Sequence, residues 1–103
     1  MKQIQFNDVF FVIGQNQQDN WDILSQAKQN EWFFHLDKLP SCYVIVKTDE
    51  LTTALINHAA FLCKENSKFN MTVKIIYTQV KNVSKGTKIG QAIIKGKTKN
   101  IVL

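Results

Sequence analysis

Most of the side chains with which this chain could do chemistry fall within residues 31–44, Glu-Trp-Phe-Phe-His-Leu-Asp-Lys-Leu-Pro-Ser-Cys-Tyr-Val. His35 is followed by Asp37 and Ser41, the residue types of a base, an orienting acid and a nucleophile. A triad is defined by geometry, however, and so short a stretch establishes none. His35 could also stack on, or hydrogen-bond to, a nucleobase beside Phe33, or simply bond a neighbouring loop. On the residues alone the structural role outweighs ligand contact, and both outweigh catalysis. His35, Cys42, His58 and Cys63 are metal-competent types, but their spacing matches no paired-ligand pattern. On a helix His58 and Cys63 would stand roughly 140° apart, which suits a helix-packing histidine better than a ligand. The chain has no GxxxxGKT or GxGxxG motif and no pair of carboxylates set for a cleft. The expectation is therefore a non-enzymatic protein with no cofactor and no metal.

The second chemical feature is charge. Residues 1–63 hold four lysines against seven acids, a balance of −3; residues 64–103 hold nine lysines against Glu65 alone, a balance of +8. Residues 77–99 carry six lysines and no acid. A chain polarised in this way should meet a polyanion with one side. Lys81, Lys85 and Lys88 are the expected phosphate contacts, with Lys68 and the C-terminal lysines as peripheral support, and Gly86 and Gly90 holding the loop close. The alternative is a solvated lysine edge that blunts strand aggregation. There is no arginine, so phosphates would meet point charges and not bidentate forks.

The elements that must position these groups belong to one domain spanning residues 1–103. The apolar share is 45% and the aromatic share 11%, as in a folded core and not a disordered tail. No apolar run nears ~18 residues, so no membrane span is expected. The short run Val9–Ile13 is no signal-peptide core, and two unpatterned cysteines suit free thiols. Together these point to the cytoplasm or nucleus. Val9–Ile13 reads as a strand ended by Gly14, and residues 16–28 as a helix capped by Asn16 with Trp21, Leu24 and Ala27 on one face. Residues 31–36 and 42–47 read as strands joined by Asp37–Ser41. In the first, Trp32, Phe34 and Leu36 make the core face; Phe33 and His35 share the opposite, more polar one. Residues 49–66 form the strongest helical pattern, capped by Thr48 or Asp49, with Leu51, Leu55, Phe61 and Leu62 in its apolar stripe and His58 among them. Strands follow at 71–80, 90–95 and 100–103. The class is α+β: a mainly antiparallel sheet of about five strands with two helices.

With these elements in place the chain resembles the NFACT-R domain, the RNA-binding module of NFACT proteins, from about Val9 to Val102. Gly14-Gln-Asn with Asn20 and Leu24 is similar to the family's opening motif, and Phe33-Phe34-His35 to its Trp-Phe-His or Trp-Leu-His signature. Asp37–Ser41 matches the turn that follows. Ala59 to Ser67 resembles its alanine-rich helix, and Tyr77-Thr78, Lys81, Val83, Lys85-Gly86, Lys88 and Gly90 its lysine-glycine stretch. Phe33 stands for the usual tryptophan, Tyr43 for a second histidine, Gln15 for a basic residue and Ile89 for a proline. The resemblance implies binding of RNA in preference to DNA, with a ribosome or another NFACT-type protein as further partners. It also makes His35, with Phe33 and Tyr43, a contact surface, and Asn20 a polar contact. The other parts on which the family's tail synthesis depends are absent from these residues, so tail synthesis is not implied. The alternative function is a protein-interaction adaptor, favoured by an apolar patch near Phe69 and Met71.

Overall fold

Val9–Ile13, Trp32–Leu36 and Val44–Val46 are apolar at nearly every position. The computed structural model, which describes residues 1–103, supplies the reason: the sheet they build is covered on both faces. The elements run β1 (Lys2–Phe6), β2 (Val9–Ile13), α1 (Gln17–Gln26), β3 (Trp32–Leu36), β4 (Val44–Val46), α2 (Thr53–Asn66) and β5 (Lys74–Gln79), then a 3-10 turn (Val80–Asn82), β6 (Val83–Lys85), β7 (Ala92–Ile94) and β8 (Lys99–Val102). Six strands form one sheet in the order β1-β2-β4-β3-β5-β8, and β6 and β7 form a separate two-stranded ribbon. Every pairing is antiparallel, as the α+β reading requires.

The alternation in β3 sends Phe34 and Leu36 into a core closed by α2, with Leu55, Ala59, Ala60 and Cys63 opposite them. Phe33 goes the other way, into a second core with Tyr43, Ile45 and Val12, closed by Ile23 and Leu24 of α1 and by Val83, Ala92 and Ile94 of the ribbon. The face expected to be polar is therefore a second core. Phe33 and Tyr43 are fully buried, and burying side chains of this size is worth roughly 1.5–3 kcal/mol each.

Local signals set the element ends. Asn16 caps α1 by accepting from the Asp19 N–H at 2.8 Å. The cap of α2 is Thr52, whose hydroxyl accepts from the Leu55 N–H at 3.2 Å, not Thr48 or Asp49. The start of α2 accordingly moves to Thr53, and Phe61 falls on its outer side, 51% exposed. β1, for which the sequence reading had no strand, pairs with β2 through a two-residue turn in which Asn7 and Asp8 both have positive φ. That conformation matches the twist of a hairpin, and Asn and Asp tolerate it.

Between β3 and β4, residues 41–43 are buried or half-buried and lie in no strand. Asn20 holds them: its Oδ1 accepts from the Tyr43 N–H at 3.0 Å, and its Nδ2 lies 3.4 Å from the Ser41 carbonyl. Gly14 permits this approach, because a Cβ there would collide with the Asn20 carboxamide. Gly14→Ala should therefore cost about 1–3 kcal/mol in denaturant unfolding, as overpacking does. Asn20→Ala should cost a similar ~1–3 kcal/mol by orphaning a buried N–H. The double variant should lose clearly less than the sum, since removing the carboxamide makes room for the methyl; simple additivity would disprove the contact.

Candidate nucleic-acid interface

The lysine-rich segment folds as the β6–β7 ribbon, with Val83 opposite Ile94 and Lys85 opposite Ala92. Its loop, residues 86–91, closes on itself through the Gly86 N–H to the Gln91 carbonyl at 2.8 Å and the Gln91 N–H to the Lys88 carbonyl at 2.9 Å. The Gln91 side chain accepts from the Thr87 and Lys88 N–H groups at 3.0 and 3.3 Å. The tip is pinned to the body as well. Tyr43 donates its hydroxyl to the Gly90 carbonyl at 2.6 Å, and the Trp21 indole donates to the Gln91 carbonyl at 3.1 Å. Gly90, at φ +85°, lies against Gln17 of α1 where a side chain would clash.

The ribbon thus presents its lysines from a fixed base. Lys85 stretches over the Trp21 ring, its Nζ 5.5 Å from the ring centre, within cation–π range. Lys88 stands exposed on the pinned loop and Lys81 on the 3-10 turn, where its N–H bonds to the Gln29 carbonyl at 3.0 Å. Lys81, Lys85 and Lys88 therefore share one module on the second-core side of the sheet.

His35 lies beside that module. Its ring stacks parallel to Phe33 at 6.0 Å and meets Tyr43 edge-on at 5.4 Å. It lines a hollow of about 370 Å³ whose other walls include Asn20, Lys38 and Ser41 on one side and Gly90, Ala92 and Ile94 of the ribbon on the other. Desolvation holds the His35 imidazole below the ordinary histidine value, while the Leu36 backbone and Asp37 oppose it more weakly. The ring is thus neutral near pH 7. The Ser41 hydroxyl accepts from the Leu36 N–H and faces the Cys42 carbonyl, both at 3.0 Å. It closes the turn.

A second hollow, of about 440 Å³, adjoins the first through shared Gln17, Asn20, Pro40 and Ser41, and continues to Asn66, Ser67 and Lys68. The two differ in kind. The His35 hollow has an apolar side of Leu36, Ile76, Ala92 and Ile94, whereas the second is polar almost throughout.

The structure brings together His35, Asn20 and Lys68 along one cleft and places Lys85 and Lys88 on the ribbon beside it, with Lys81 on the 3-10 turn that leads into it. It withdraws Phe33 and Tyr43 from direct contact, because both are fully buried beneath His35 and the ribbon; burial also raises the Tyr43 phenol to about 12. Asn20 is only 6% exposed and acts chiefly as a tie. Lys38 was missed as a wall of the hollow, although its place in the turn after His35 was a signal. Gln91 was missed too, and nothing in sequence marks it. His58 stacks on Phe6 at 4.0 Å on the α2 side, as a helix-packing histidine would. No three of the His, Cys, Asp and Glu side chains converge as a metal site, and no helix is long and apolar enough to cross a membrane.

The family described as NFACT protein RNA binding domain matches residues 3–99. Among solved structures, the C-terminal part of the fibronectin/fibrinogen-binding protein from Streptococcus suis is similar, with a TM-score of 0.81 at 21% identity. The match covers 92% of this chain and 40% of that one, so the likeness is one of fold over less than half of the other's length. No curated protein matches.

The desolvation of His35 has a consequence for stability. With its folded value below the ordinary 6.5, the unfolded chain takes up the proton first. The stabilisation tied to the neutral ring is complete above pH 6.5 and is lost as pH falls through the folded value. His35→Gln should therefore lose less stability than the wild type between pH 7 and pH 5, and an NMR titration should place His35 below 6.5. An equal loss in both proteins, or a midpoint above 6.5, would contradict the half-buried, neutral imidazole.

Proposed function

The chain belongs to the NFACT RNA-binding domain family, and from that premise we propose that it is a non-enzymatic module binding unpaired RNA across the cleft and ribbon just described. One observation carries this reading: the lysine ribbon packs on the same side of the sheet as His35, and its strand β7 forms a wall of the His35 hollow. Backbone phosphates following Lys81, Lys85 and Lys88 would pass directly beside a hollow of nucleobase character. That hollow offers an apolar side, a neutral imidazole edge and the amides of Gln17 and Gln91. Bases of single strands are open to such contacts, whereas those of an A-form duplex are closed to them.

The second hollow suits a phosphate or ribose, with Lys68, Ser67 and Asn66 around it. Lys38 and Lys68, one in each hollow, have φ of 61° and 62°. Left-handed backbone in a residue other than glycine or asparagine costs about 1–3 kcal/mol and is concentrated at functional positions. That both lysines of the cleft adopt it supports their being held for a ligand. RNA is favoured over DNA because the family is an RNA-binding one and because the cleft offers several polar groups to a 2′-hydroxyl.

A second reading, docking on a ribosomal or NFACT-type protein, is favoured by the far side of α2. There Phe61 and Met71 are 51% and 54% exposed, and a hollow of about 370 Å³ opens between Phe61, Phe69 and Leu103. Apolar docking would survive high salt; phosphate binding would not.

Anisotropy titrations of unstructured RNA across a salt series separate the two. Lys85→Ala with Lys88→Ala should weaken binding for all sequences and reduce the slope of log K against log salt by about 1.4, roughly 0.7 for each lost contact. His35→Ala should weaken single-strand binding and leave that slope unchanged. Affinity and slope unaltered by all three substitutions would overturn the RNA assignment of this surface.

A further inference from the structure

Cys42 and Cys63 are far apart in sequence, yet the fold sets them face to face beneath the second hollow. The Cys42 sulfur lies 3.6 Å from the Cys63 carbonyl oxygen, and the Cys63 sulfur 3.7 Å from the Cys42 carbonyl oxygen. Each thiol thus rests against the other residue's backbone. The two are not equivalent. Cys42 is 8% exposed and lines the 440 Å³ hollow, whereas Cys63 is fully enclosed in the α2 core. Ser67, which ends α2, is bonded to Cys42 twice: its hydroxyl oxygen accepts from the Cys42 N–H at 3.1 Å and lies 3.6 Å from the Cys42 sulfur.

We propose that Cys42 and Cys63 are an oxidation site, a reactive thiol with its resolving partner, which a hydroperoxide converts into an intramolecular disulfide. The polarity of the pair supports this order of events. The neighbouring Cys63 side chain and the Ser67 hydroxyl, which donates to the Cys42 sulfur, together bring Cys42 down to about 7 against burial. Cys42 releases its proton to solvent, whereas Cys63, whose value the same contact and burial raise, keeps its own. The sulfur of the residue that lines the hollow is thereby the readier thiolate and the enclosed one the thiol, the arrangement by which low-pKa sensors stand beside a resolving cysteine.

The chemistry closes on two steps. The Cys42 thiolate attacks the near oxygen of the peroxide; the O–O bond breaks, and the alcohol leaves after taking a proton, giving Cys42 sulfenic acid. The Cys63 sulfur then attacks the Cys42 sulfur; the S–O bond breaks, and water leaves with the Cys63 proton. Two thiols lose two electrons and two protons, and the hydroperoxide is reduced to an alcohol and water. The bond would fix Cys42 to the last turns of α2, and with it Ser41 and Tyr43, whose backbone Asn20 holds. The wall shared by both hollows would become covalently tied, whatever occupies them.

The test treats the native full chain with hydrogen peroxide, alkylates it in denaturant and maps the peptides by mass spectrometry. The expected result is the loss of both free thiols together and a Cys42–Cys63 peptide within single chains. Before oxidation, native-state labelling with iodoacetamide should modify Cys42 ahead of Cys63, with a pH midpoint near 7 and not near the usual 9. Cys63→Ser should stop at a Cys42 sulfenic acid that dimedone traps, and Cys63→Ala serves where the serine variant fails to fold. The proposal is overturned if both thiols stay free at peroxide doses that oxidise the unfolded chain. Bonds found only between chains, or a Cys42 midpoint at the ordinary thiol value, would overturn it equally.

Discussion

The Asn20 carboxamide reaches from the first turns of α1 into a buried stretch, Ser41–Tyr43, that belongs to no strand. Such backbone is costly unless every donor and acceptor finds a partner. Here the Tyr43 N–H bonds to Asn20, the Tyr43 carbonyl accepts from the Gly14 N–H at 3.0 Å, and the Cys42 N–H bonds to Ser67. The Ser41 and Cys42 carbonyls are met by Asn20 and by the Ser41 hydroxyl. The partners come from three elements, so the segment fixes α1, α2 and the sheet relative to one another. It also frees the outward side of Pro40–Ser41 from structural duty, and that side is where the two hollows join.

This arrangement explains which parts of the molecule could be read from its sequence. The parity of β3 was legible: Phe34 and Leu36 enter one core, Phe33 and His35 the other side. The character of that other side was not, because a strand's alternation says which residues share a face and nothing about what covers it. What covers it is Ile23 and Leu24 of α1 with Val83, Ala92 and Ile94 of the ribbon, residues whose own apolar signals are thin. β1 was in principle readable. Ile4 and Phe6 alternate with polar residues, and Asn7-Asp8 suits a tight hairpin turn, but glutamines at positions 3 and 5 hid it beside the continuous run of β2. Asn20 and Tyr43 were read from the sequence as contacts, yet both are buried. Only the geometry shows that they act through others, Asn20 on Ser41–Tyr43 and Tyr43 on Gly90.

The ribbon owes its place to three residues of different origin. Tyr43 from the segment just before β4, Trp21 from α1 and Gln91 from the ribbon's own loop hold its tip. A two-stranded hairpin alone is marginally stable. Anchoring its tip, with the Trp21 ring beneath Lys85, holds the charges of Lys85 and Lys88 in a set position and does not leave them on a loose loop. Positive charge fixed in position is what steering of a polyanion requires.

The absence of arginine sharpens what the cleft must do. Lysine ammonium groups attract phosphate without reading its geometry, and they give affinity that falls steeply with salt and carries no sequence information. In a surface of lysines alone, discrimination between nucleic acids has to come from somewhere else. On the proposed reading, the groups on this face with directed hydrogen-bonding capacity are His35, held toward its neutral form by desolvation, and the amides of Gln17 and Gln91 around the same hollow. The ribbon would then account for attraction and the hollow for choice, with the segment that Asn20 holds lying between them.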